Sequence, residues 1–386
     1  MGKKKALLLV VGGRAAPDVL ALFCVQPHLV AILTSREGWG DEPAFREIAS
    51  SLPNHEQLLA TQQVDSYKFE EIRQACSDIY QAYPKTDWDW AFSIASCPKI
   101  MGIAAYEVAK ENTIPCLYID SLHEYVATFV SDIRDIPDIG IPPERLFQMT
   151  VQEYMKVYRR EPRMLDQNQM NYRRKAEGWG DIAHIMAVSR ETPDFTRLMH
   201  EKHARVAVPF PPALVESNLV QTLARLHAVE IEQSPNGAFT CAFTSQHFAK
   251  FLRTGDWLEV YTWHEAKEAG FASDYQWGYT IQSIAENELD VAFTYKAQLI
   301  FVECKTDGNP FFRTNYLNGI SSKAEMLGGN YVTKIFITNA SKEQEGYNNF
   351  YNQATLRRIV VVTAEDLPDL GRILKKEAEN PTYKRI

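Results

Sequence analysis

Asp290, Glu303 and Lys305 have the residue types and the spacing with the clearest chemical potential in this sequence. They lie in NELDVAFTYKAQLIFVECKTD, residues 287–307, where two apolar runs flank a short polar break. An unpaired ion buried in such a run costs on the order of several kcal/mol. Three charges so close together therefore require a partner, a ligand or a function.

The two apolar runs predict a β-hairpin with its turn at residues 296–297. A two-residue turn places Asp290 directly opposite Glu303, with the paired Cβ atoms about 5 Å apart. Lys305 shares their face, because side chains two residues apart in a strand point the same way. A four-residue turn keeps this register, whereas a three-residue turn breaks it. The opposite face is apolar and is expected to pack into a core: Val291, Phe293, Ile300 and Val302.

Two facing carboxylates repel each other, and a hard divalent cation with oxygen ligands relieves that repulsion. We therefore expect Mg²⁺ or Mn²⁺ at Asp290 and Glu303, with the backbone carbonyl of Cys304 as a further ligand. Such an ion polarises a phosphate and lowers the pKa of a bound water. Lys305 would then stabilise charge on the phosphorus centre. The alternative is a structural ion-pair network on a half-exposed sheet.

Two residues outside the hairpin are further candidates. Glu259 lies in GDWLEVY, on the mostly apolar face of a predicted helix. It either completes the metal shell or forms a helix–strand ion pair, for example with Lys305, and the spacing leaves both open. Lys323 lies in SSKAEMLGG on the next predicted helix. For it we favour a solvated helix lysine over a phosphate contact.

The N-terminal part alternates strand and helix patterns, which predicts a parallel sheet covered by helices. Strands are predicted at 6–13, 29–35, 88–96 and 115–121. Ligands of such sheets bind beyond the carboxyl ends of the strands. Several cations gathered at these ends in an acidic chain favour an anionic ligand, although solvated loop arginines are the simpler explanation for two of them. The candidate ligand residues are Gly13, Arg14, Ser35, Arg36, Ser96, Pro98 and Lys99.

Bulk properties exclude some classes of protein. The 386 residues carry a net charge of −8, so bulk charge does not hold this protein on nucleic acid. The six cysteines form no C-x-x-C pair, which favours a reduced, cytoplasmic protein. The basic, apolar N-terminus mimics a secretory signal but is better explained as a buried strand. No apolar stretch approaches transmembrane length, so we expect no membrane partner.

The arrangement of Glu259, Asp290 and Glu303-x-Lys305 on a helix and hairpin resembles the PD-(D/E)xK nuclease core. The segments GDWLEVY, NELDVAFTYKAQLIFVECKTD and LGGNYVTKIFIT resemble nucleases of type III CRISPR defence that fuse a CARF domain to this core. GGRAAP and SIASCPK resemble the two ligand loops of CARF domains. Relatives often have TGGTK in the second loop. Here only the lysine remains, which leaves the size of the ligand ring open.

The resemblance implies an α/β fold with an N-terminal Rossmann-like CARF domain and a C-terminal restriction-endonuclease-like domain. It implies a homodimer that binds a cyclic oligoadenylate, most often the tetramer cA4, and then cuts DNA or RNA with little sequence preference. Asp290, Glu303, Lys305 and Glu259 would be catalytic. We expect a CARF sensor at 1–140, a connecting region at 141–212 and a nuclease at 213–386, with a winged-helix-like lead-in at 213–244.

Two other classes of function are weaker. A CARF-type transcription regulator with a degenerate nuclease domain requires a basic recognition helix, and the candidate helix at 214–228 offers only Arg225 and His227. A nucleotide-dependent oxidoreductase requires G-x-G-x-x-G after the first strand, which GGRAAP does not provide. It also requires an acidic residue at the end of the second strand, where the sequence has Thr34-Ser35-Arg36.

Overall fold

The computed structural model describes residues 3–12, 15–35, 42–84, 86–121, 123–158, 160, 162–200, 207–282, 287–306, 308–328 and 331–384. Gly13, Arg14 and Arg36 lie outside the described residues. The chain divides into two compact units. The first comprises residues 1–161 with 294–298, and the second comprises 162–293 with 299–386. None of the described helices is long and apolar enough to cross a membrane.

The first unit alternates strands with helices, as the sequence predicts. Its strands are β1 (Lys4–Val11), β2 (Leu29–Ser35), β3 (Gln57–Leu58), β4 (Gln62–Val64), β5 (Trp88–Ser93), β6 (Cys116–Asp120) and β7 (Tyr125–Phe129). Its helices are α1 (Ala15–Val25), α2 (Glu42–Ser51), α3 (Phe69–Ala82), α4 (Lys99–Glu111) and α5 (Val151–Val157), with 3₁₀ turns at Ile133–Asp135 and Pro143–Arg145.

The sheet of this unit has the order β3-β2-β1-β5-β6-β7, with β4 also pairing with β2. All its pairs are parallel except β6 with β7. The central strand β1 is buried from Lys5 to Val11, because helices cover both faces of the sheet. The chain leaves β1 toward β2 on one side and later returns to β5 on the other. The carboxyl ends of β1 and β5 therefore form a topological switch point, where such sheets bind ligands.

The second unit contains two sheets. Its strands are β8 (Val208–Phe210), β9 (Val229–Gln233), β10 (Phe239–Phe243), β11 (Asp274–Ile281), β12 (Asn287–Tyr295), β13 (Gln298–Lys305), β14 (Thr333–Thr338) and β15 (Ile359–Val362). The first three form an antiparallel sheet of order β8-β10-β9, and the others a sheet of order β11-β12-β13-β14-β15. In the larger sheet β14 pairs in parallel with both β13 and β15.

Helices surround these sheets. They are α6 (Gln167–Glu177), α7 (Gly180–Val188), α8 (Thr192–His200), α9 (Pro212–Val215), α10 (Asn218–Arg225), α11 (Gln246–Thr254), α12 (Asp256–Ala269), α13 (Asn315–Met326), α14 (Tyr347–Leu356) and α15 (Leu370–Glu379), with 3₁₀ turns at Pro310–Phe312 and Ala364–Asp369. The predicted connecting region, 141–212, contains α5 to α8. Its residues from 162 onward group with the second unit.

The predicted hairpin is present, with its two-residue turn at Lys296-Ala297. The strand β12 ends at Tyr295 and β13 begins at Gln298. Both turn residues have positive φ angles, 53° and 54°. That backbone is the one that matches the twist of two antiparallel strands joined by two residues.

The turn of this hairpin belongs to the first unit, although its strands belong to the second. Residues 294–298 group with residues 1–161. The Thr294 hydroxyl donates to the Met149 carbonyl at 2.5 Å, and the Gln298 amide donates to the Ser121 hydroxyl at 3.0 Å. The chain therefore passes from one unit to the other three times.

Candidate active site

The hairpin buries one face of β12 and β13 and places the charged residues on the other. Asp290 is only 6% exposed, and the side chain of Glu303 only 12%. The predicted core face is confirmed, since four side chains are fully buried: Val291, Phe293, Ile300 and Val302. Their burial offsets the cost of keeping two carboxylates away from water.

Three oxygen atoms converge on the ammonium group of Lys305. Its Nζ lies 3.2 Å from Oδ2 of Asp290 and 2.8 Å from Oε1 of Glu303, and it donates to the Cys304 carbonyl at 3.0 Å. The Cys304 N–H donates to Oδ2 of Asp290 at 2.7 Å. These are three of the four groups that the sequence predicts as metal ligands, the fourth being Glu259. Lys305 marks the point on which they converge.

The electrostatics of this cluster shift the pKa values of the two carboxylates in opposite directions. Burial, followed by the charge of Glu303, raises the pKa of Asp290 to about 6. Burial also disfavours ionised Glu303, but the ammonium groups of Lys305 and Lys323 hold its pKa below the ordinary value. Burial opposes the charge of Lys305 too, yet Asp290 and Glu303 raise its pKa. The neighbouring charges thus favour the ionised form of Glu303 and the charged form of Lys305.

Lys323 belongs to this site. The sequence favoured a solvated helix lysine at this position, and that prediction is wrong. Its side chain is 15% exposed, and its Nζ lies 2.6 Å from Oε2 of Glu303. It also donates to the Glu288 carbonyl at 2.6 Å. The spacing of eighteen residues after Lys305 carries no signal for this contact, because α13 must first pack against the sheet.

Glu259 is brought close to the hairpin by the start of α12. Gly255 precedes that helix with a φ of 93°, and a Cβ there would meet Oγ1 of Thr306 at 2.6 Å. Only glycine allows this approach without strain. Burial, followed by the charge of Asp290, raises the pKa of Glu259. Across the residues that the structure describes, Glu259 forms no ion pair with Lys305, whose ion-pair partners are Asp290 and Glu303.

The oxygen donors fit a hard divalent cation, as the sequence predicts. The Cys304 thiol is buried, with its sulfur 3.7 Å from Oγ1 of Thr262, so Cys304 faces the cluster through its backbone, and its carbonyl is the group that can bind a cation. In the described part of the chain, no group of three or more His, Cys, Asp or Glu side chains gathers as metal ligands. Asp290, Glu303, the Cys304 carbonyl and Glu259 therefore stay predicted metal ligands. Carboxylate and carbonyl oxygens suit Mg²⁺ and Mn²⁺.

In the first unit, the loops after β1 and β5 are joined at Gly12. Its N–H donates to the Ser96 hydroxyl at 3.1 Å, and that hydroxyl donates to Asp18, which is fully buried. A Cβ at position 12 would meet the Ser96 carbonyl oxygen at 2.1 Å. Ser96, predicted as a ligand contact, therefore fixes the two loops against each other.

The other described candidates surround this junction. Ser35 ends β2, and Pro98 and Lys99 are exposed at the start of α4. No side chain caps that helix. Free N–H groups at a helix N-terminus attract anions, and the Lys99 charge adds to this attraction. The three residues stay candidates for contacts to an anionic ligand.

Comparison with known proteins identifies the segment that carries the convergent oxygens. Residues 246–380 match the family model described as Card1-like, endonuclease domain. This part of the chain is similar to Card1-like endonuclease domains. It contains α12, the hairpin and α13, and so every residue of the candidate catalytic cluster. No curated protein matches the chain at the sequence level.

Two solved structures share the fold over almost the whole chain. Can2 from Sulfobacillus thermosulfidooxidans, solved in complex with cyclic tetra-adenylate (cA4), is 18% identical, with a TM-score of 0.70 over 97% of this chain and 98% of that chain. Protein VC1899 from Vibrio cholerae is 15% identical, with a TM-score of 0.69 over 98% of this chain and 99% of that chain. The predicted fold class is confirmed as α/β: a Rossmann-like unit precedes the α/β unit that contains the match to the Card1-like endonuclease domain.

Proposed function

We propose that the chain is a metal-dependent endonuclease of type III CRISPR defence that a cyclic oligoadenylate switches on. The observation that carries the proposal is the convergence of Asp290, Glu303 and the Cys304 carbonyl on one cation position within a Card1-like endonuclease domain. The substrate is DNA or RNA, and the reaction is hydrolysis of a phosphodiester bond.

The residues of the cluster divide the work of hydrolysis. When bound, Mg²⁺ or Mn²⁺ would polarise a phosphate oxygen and lower the pKa of a water. Asp290, Glu303 and the Cys304 carbonyl would hold the ion, and Glu259 is proposed as the helix acid of the same shell. Lys305 has only 24% of its side chain exposed, so its charge acts on the phosphate with little screening by solvent.

The activator site is proposed at the switch point of the first unit. The contacting groups are those of the two loops and their flanks: Gly13, Arg14, Ser35, Arg36, Ser96, Pro98 and Lys99. A ring of adenylates carries phosphates that suit the cationic groups and the start of α4. The Can2 structure, which contains cA4, supports a ring of four adenylates through its shared fold.

A homodimer is also proposed, because a two-fold axis presents the same patch twice to a ring of repeating units. The strand β7 is an edge strand, and large apolar side chains on β6 and β7 face outward. Tyr118, Tyr125 and Phe129 are 41%, 58% and 41% exposed. Covering them with a second copy would remove apolar surface from water.

The transcription regulator is the less favoured alternative. It supposes a degenerate nuclease domain, yet Asp290, Glu303 and Lys305 are all present, and both carboxylates form an ion pair with Lys305. The helix α10, the candidate recognition helix, carries Arg225 as its single basic residue. The structure of the second unit thus favours an enzyme.

Substitution of Glu303 by Gln tests the proposed function. Glu303→Gln removes the charge but keeps the size of the side chain. We expect cleavage of plasmid and of single-stranded DNA and RNA to fall by more than about 100-fold, the upper figure for residues that merely orient a ligand. The assay contains Mg²⁺ or Mn²⁺ and cyclic tri-, tetra- or hexa-adenylate.

The matched control is Glu343→Gln, which removes an exposed carboxylate from the same unit. It is expected to cut at the wild-type rate. Glu303→Gln protein that melts and binds activator like the wild type, but also cuts like it, would place the catalytic site elsewhere.

A further inference from the structure

Glu303 divides its two oxygen atoms between two lysines. Its Oε1 lies 2.8 Å from Lys305, on the side where the three donor oxygens converge. Its Oε2 lies 2.6 Å from Lys323, on the far side. A cation that replaced the Lys305 ammonium would therefore use Oε1 and leave the contact to Lys323 in place.

Lys323 connects three elements of the site. It comes from α13, it contacts Glu303 on β13, and it donates to the Glu288 carbonyl on β12 at 2.6 Å. These two contacts use two of its three N–H donors. The ammonium group is thus held by both strands of the hairpin, and its position defines that of the Glu303 carboxylate.

Removal of Lys323 would change how Glu303 pairs. Both carboxylate oxygens would then be available to Lys305, which among the described residues is the remaining cation paired with Glu303. The carboxylate would lose the contact that fixes Oε2. It could then rotate, and Oε1 would no longer be held at the point shared with Asp290 and the Cys304 carbonyl. Residues that orient a metal ligand in this way commonly determine metal affinity as strongly as some ligands do.

We infer that Lys323 is the positioning residue of the metal site, which holds Oε2 of Glu303 so that Oε1 faces Asp290 and the Cys304 carbonyl. This inference rests on the proposed function, since it supposes that these oxygens bind a divalent cation. It assigns Lys323 a role in orienting Glu303, in place of a contact to the phosphate of the substrate.

Titration with Mn²⁺ alone, without nucleic acid, tests the inference by calorimetry on the full chain. Lys323→Met keeps the length of the side chain and removes the charge, and we expect Mn²⁺ affinity to fall by roughly 10- to 100-fold. Lys323→Gln keeps one donor for the Glu288 carbonyl and is expected to show the same loss, which covers a failure of the Met variant to fold. Lys323→Arg keeps the charge and should restore most of the affinity.

The matched control is Lys342→Met, which removes an exposed lysine from the same unit. Its Mn²⁺ affinity should equal that of the wild type. With saturating Mn²⁺, the Met and Gln variants should lose kcat for cleavage and keep KM for nucleic acid. A raised KM with unchanged kcat would instead assign Lys323 to the phosphate and overturn the inference.

Mn²⁺ affinity that is unchanged or higher in the folded Met and Gln variants would also overturn it. The wild type separates this failure from that of the proposed function. If the wild type binds Mn²⁺ and cuts, only the role of Lys323 is wrong. If the wild type neither binds Mn²⁺ nor cuts, both proposals fail.

Discussion

At the scale of single residues, two lysines of the cluster pair with its two carboxylates. Lys305 and Lys323 balance the charges of Asp290 and Glu303, at distances of 2.6 to 3.2 Å. Buried ion pairs stabilise little in net terms, but removing one partner leaves an uncompensated charge. The two lysines therefore offset the repulsion between the two carboxylates.

Lys99 is the residue on which the activator proposal can be tested. It is exposed at the start of α4, so Lys99→Ala removes a cation without disturbing the core. A hydrogen bond to a charged group contributes about 1.5–3 kcal/mol, which corresponds to an affinity loss of roughly 10- to 100-fold for cA4. Calorimetry with cA4 measures this loss.

The control for Lys99 is Lys110→Ala, an exposed lysine in the last turn of the same helix. It lies at the opposite end from the proposed site and should leave cA4 affinity unchanged. Equal affinities for the two variants would remove Lys99 from the site.

The sequence predicts some members of the catalytic cluster better than others. Asp290, Glu303 and Lys305 follow from strand alternation and turn length, which are local properties. Lys323 does not, because its contact with Glu303 depends on how α13 packs against the hairpin. The role of Ser96 was hidden in the same way, since its partners Gly12 and Asp18 are distant in the chain.

At the scale of elements, Gly12 determines how closely the loops after β1 and β5 approach. A methyl group there would lie 2.1 Å from the Ser96 carbonyl oxygen, so the backbone of one loop must move. The N–H of Gly12 would then lose its Ser96 acceptor. A small change at this position should therefore affect both stability and the proposed ligand site.

Gly12→Ala is expected to reduce the free energy of unfolding by about 1–3 kcal/mol, the usual cost of overpacking. It should also weaken cA4 binding while Mn²⁺ affinity stays unchanged. The control is Gly319→Ala in α13, where an added Cβ meets no atom within 4 Å. Alanine in a helix should raise stability there by roughly 0.5–1 kcal/mol. Equal melting temperatures and equal cA4 affinities for Gly12→Ala and the wild type would contradict the close approach.

Prediction of elements was strong where periodicity was strong. The sheet of the first unit and the order of strands and helices after β11 follow the sequence pattern. The residue pattern between 151 and 200 does not predict the four helices that the structure has there. In α6, for example, only Tyr172 and Ala176 are buried, so no apolar stripe marks it as a helix. Tyr172 is fixed instead by a distant partner, the Asp256 carboxylate at 2.6 Å.

At the scale of the whole molecule, the proposed metal ligands and the proposed activator site belong to different units. Asp290, Glu303 and the Cys304 carbonyl all come from one hairpin, so their arrangement is local. A distant ligand shifts a protein only between states that it binds with different affinity. We therefore propose that the activator rearranges the subunits of the dimer and leaves the metal site as it is.

Mn²⁺ affinity is accordingly expected to be the same, within about threefold, with and without cA4. The reason is that the hairpin is expected to keep one arrangement whether or not cA4 is bound. Cleavage should rise sharply when cA4 is added. Calorimetric titration with Mn²⁺ and a plasmid cleavage assay on the same preparation measure both quantities. Mn²⁺ binding that is detectable only after cA4 is added would refute this separation.

The hairpin that spans the two units has a consequence for how such a protein can be recombined. Thr294, Ala297 and Gln298 are 0%, 1% and 4% exposed, and all three group with residues 1–161. A fragment that starts at residue 162 would present these side chains to water. Replacing the second unit by a different domain requires three simultaneous junctions, at 161/162, 293/294 and 298/299. Sensor and nuclease are therefore expected to be inherited as one piece, and a graft at a single junction to yield a poorly folded chimera.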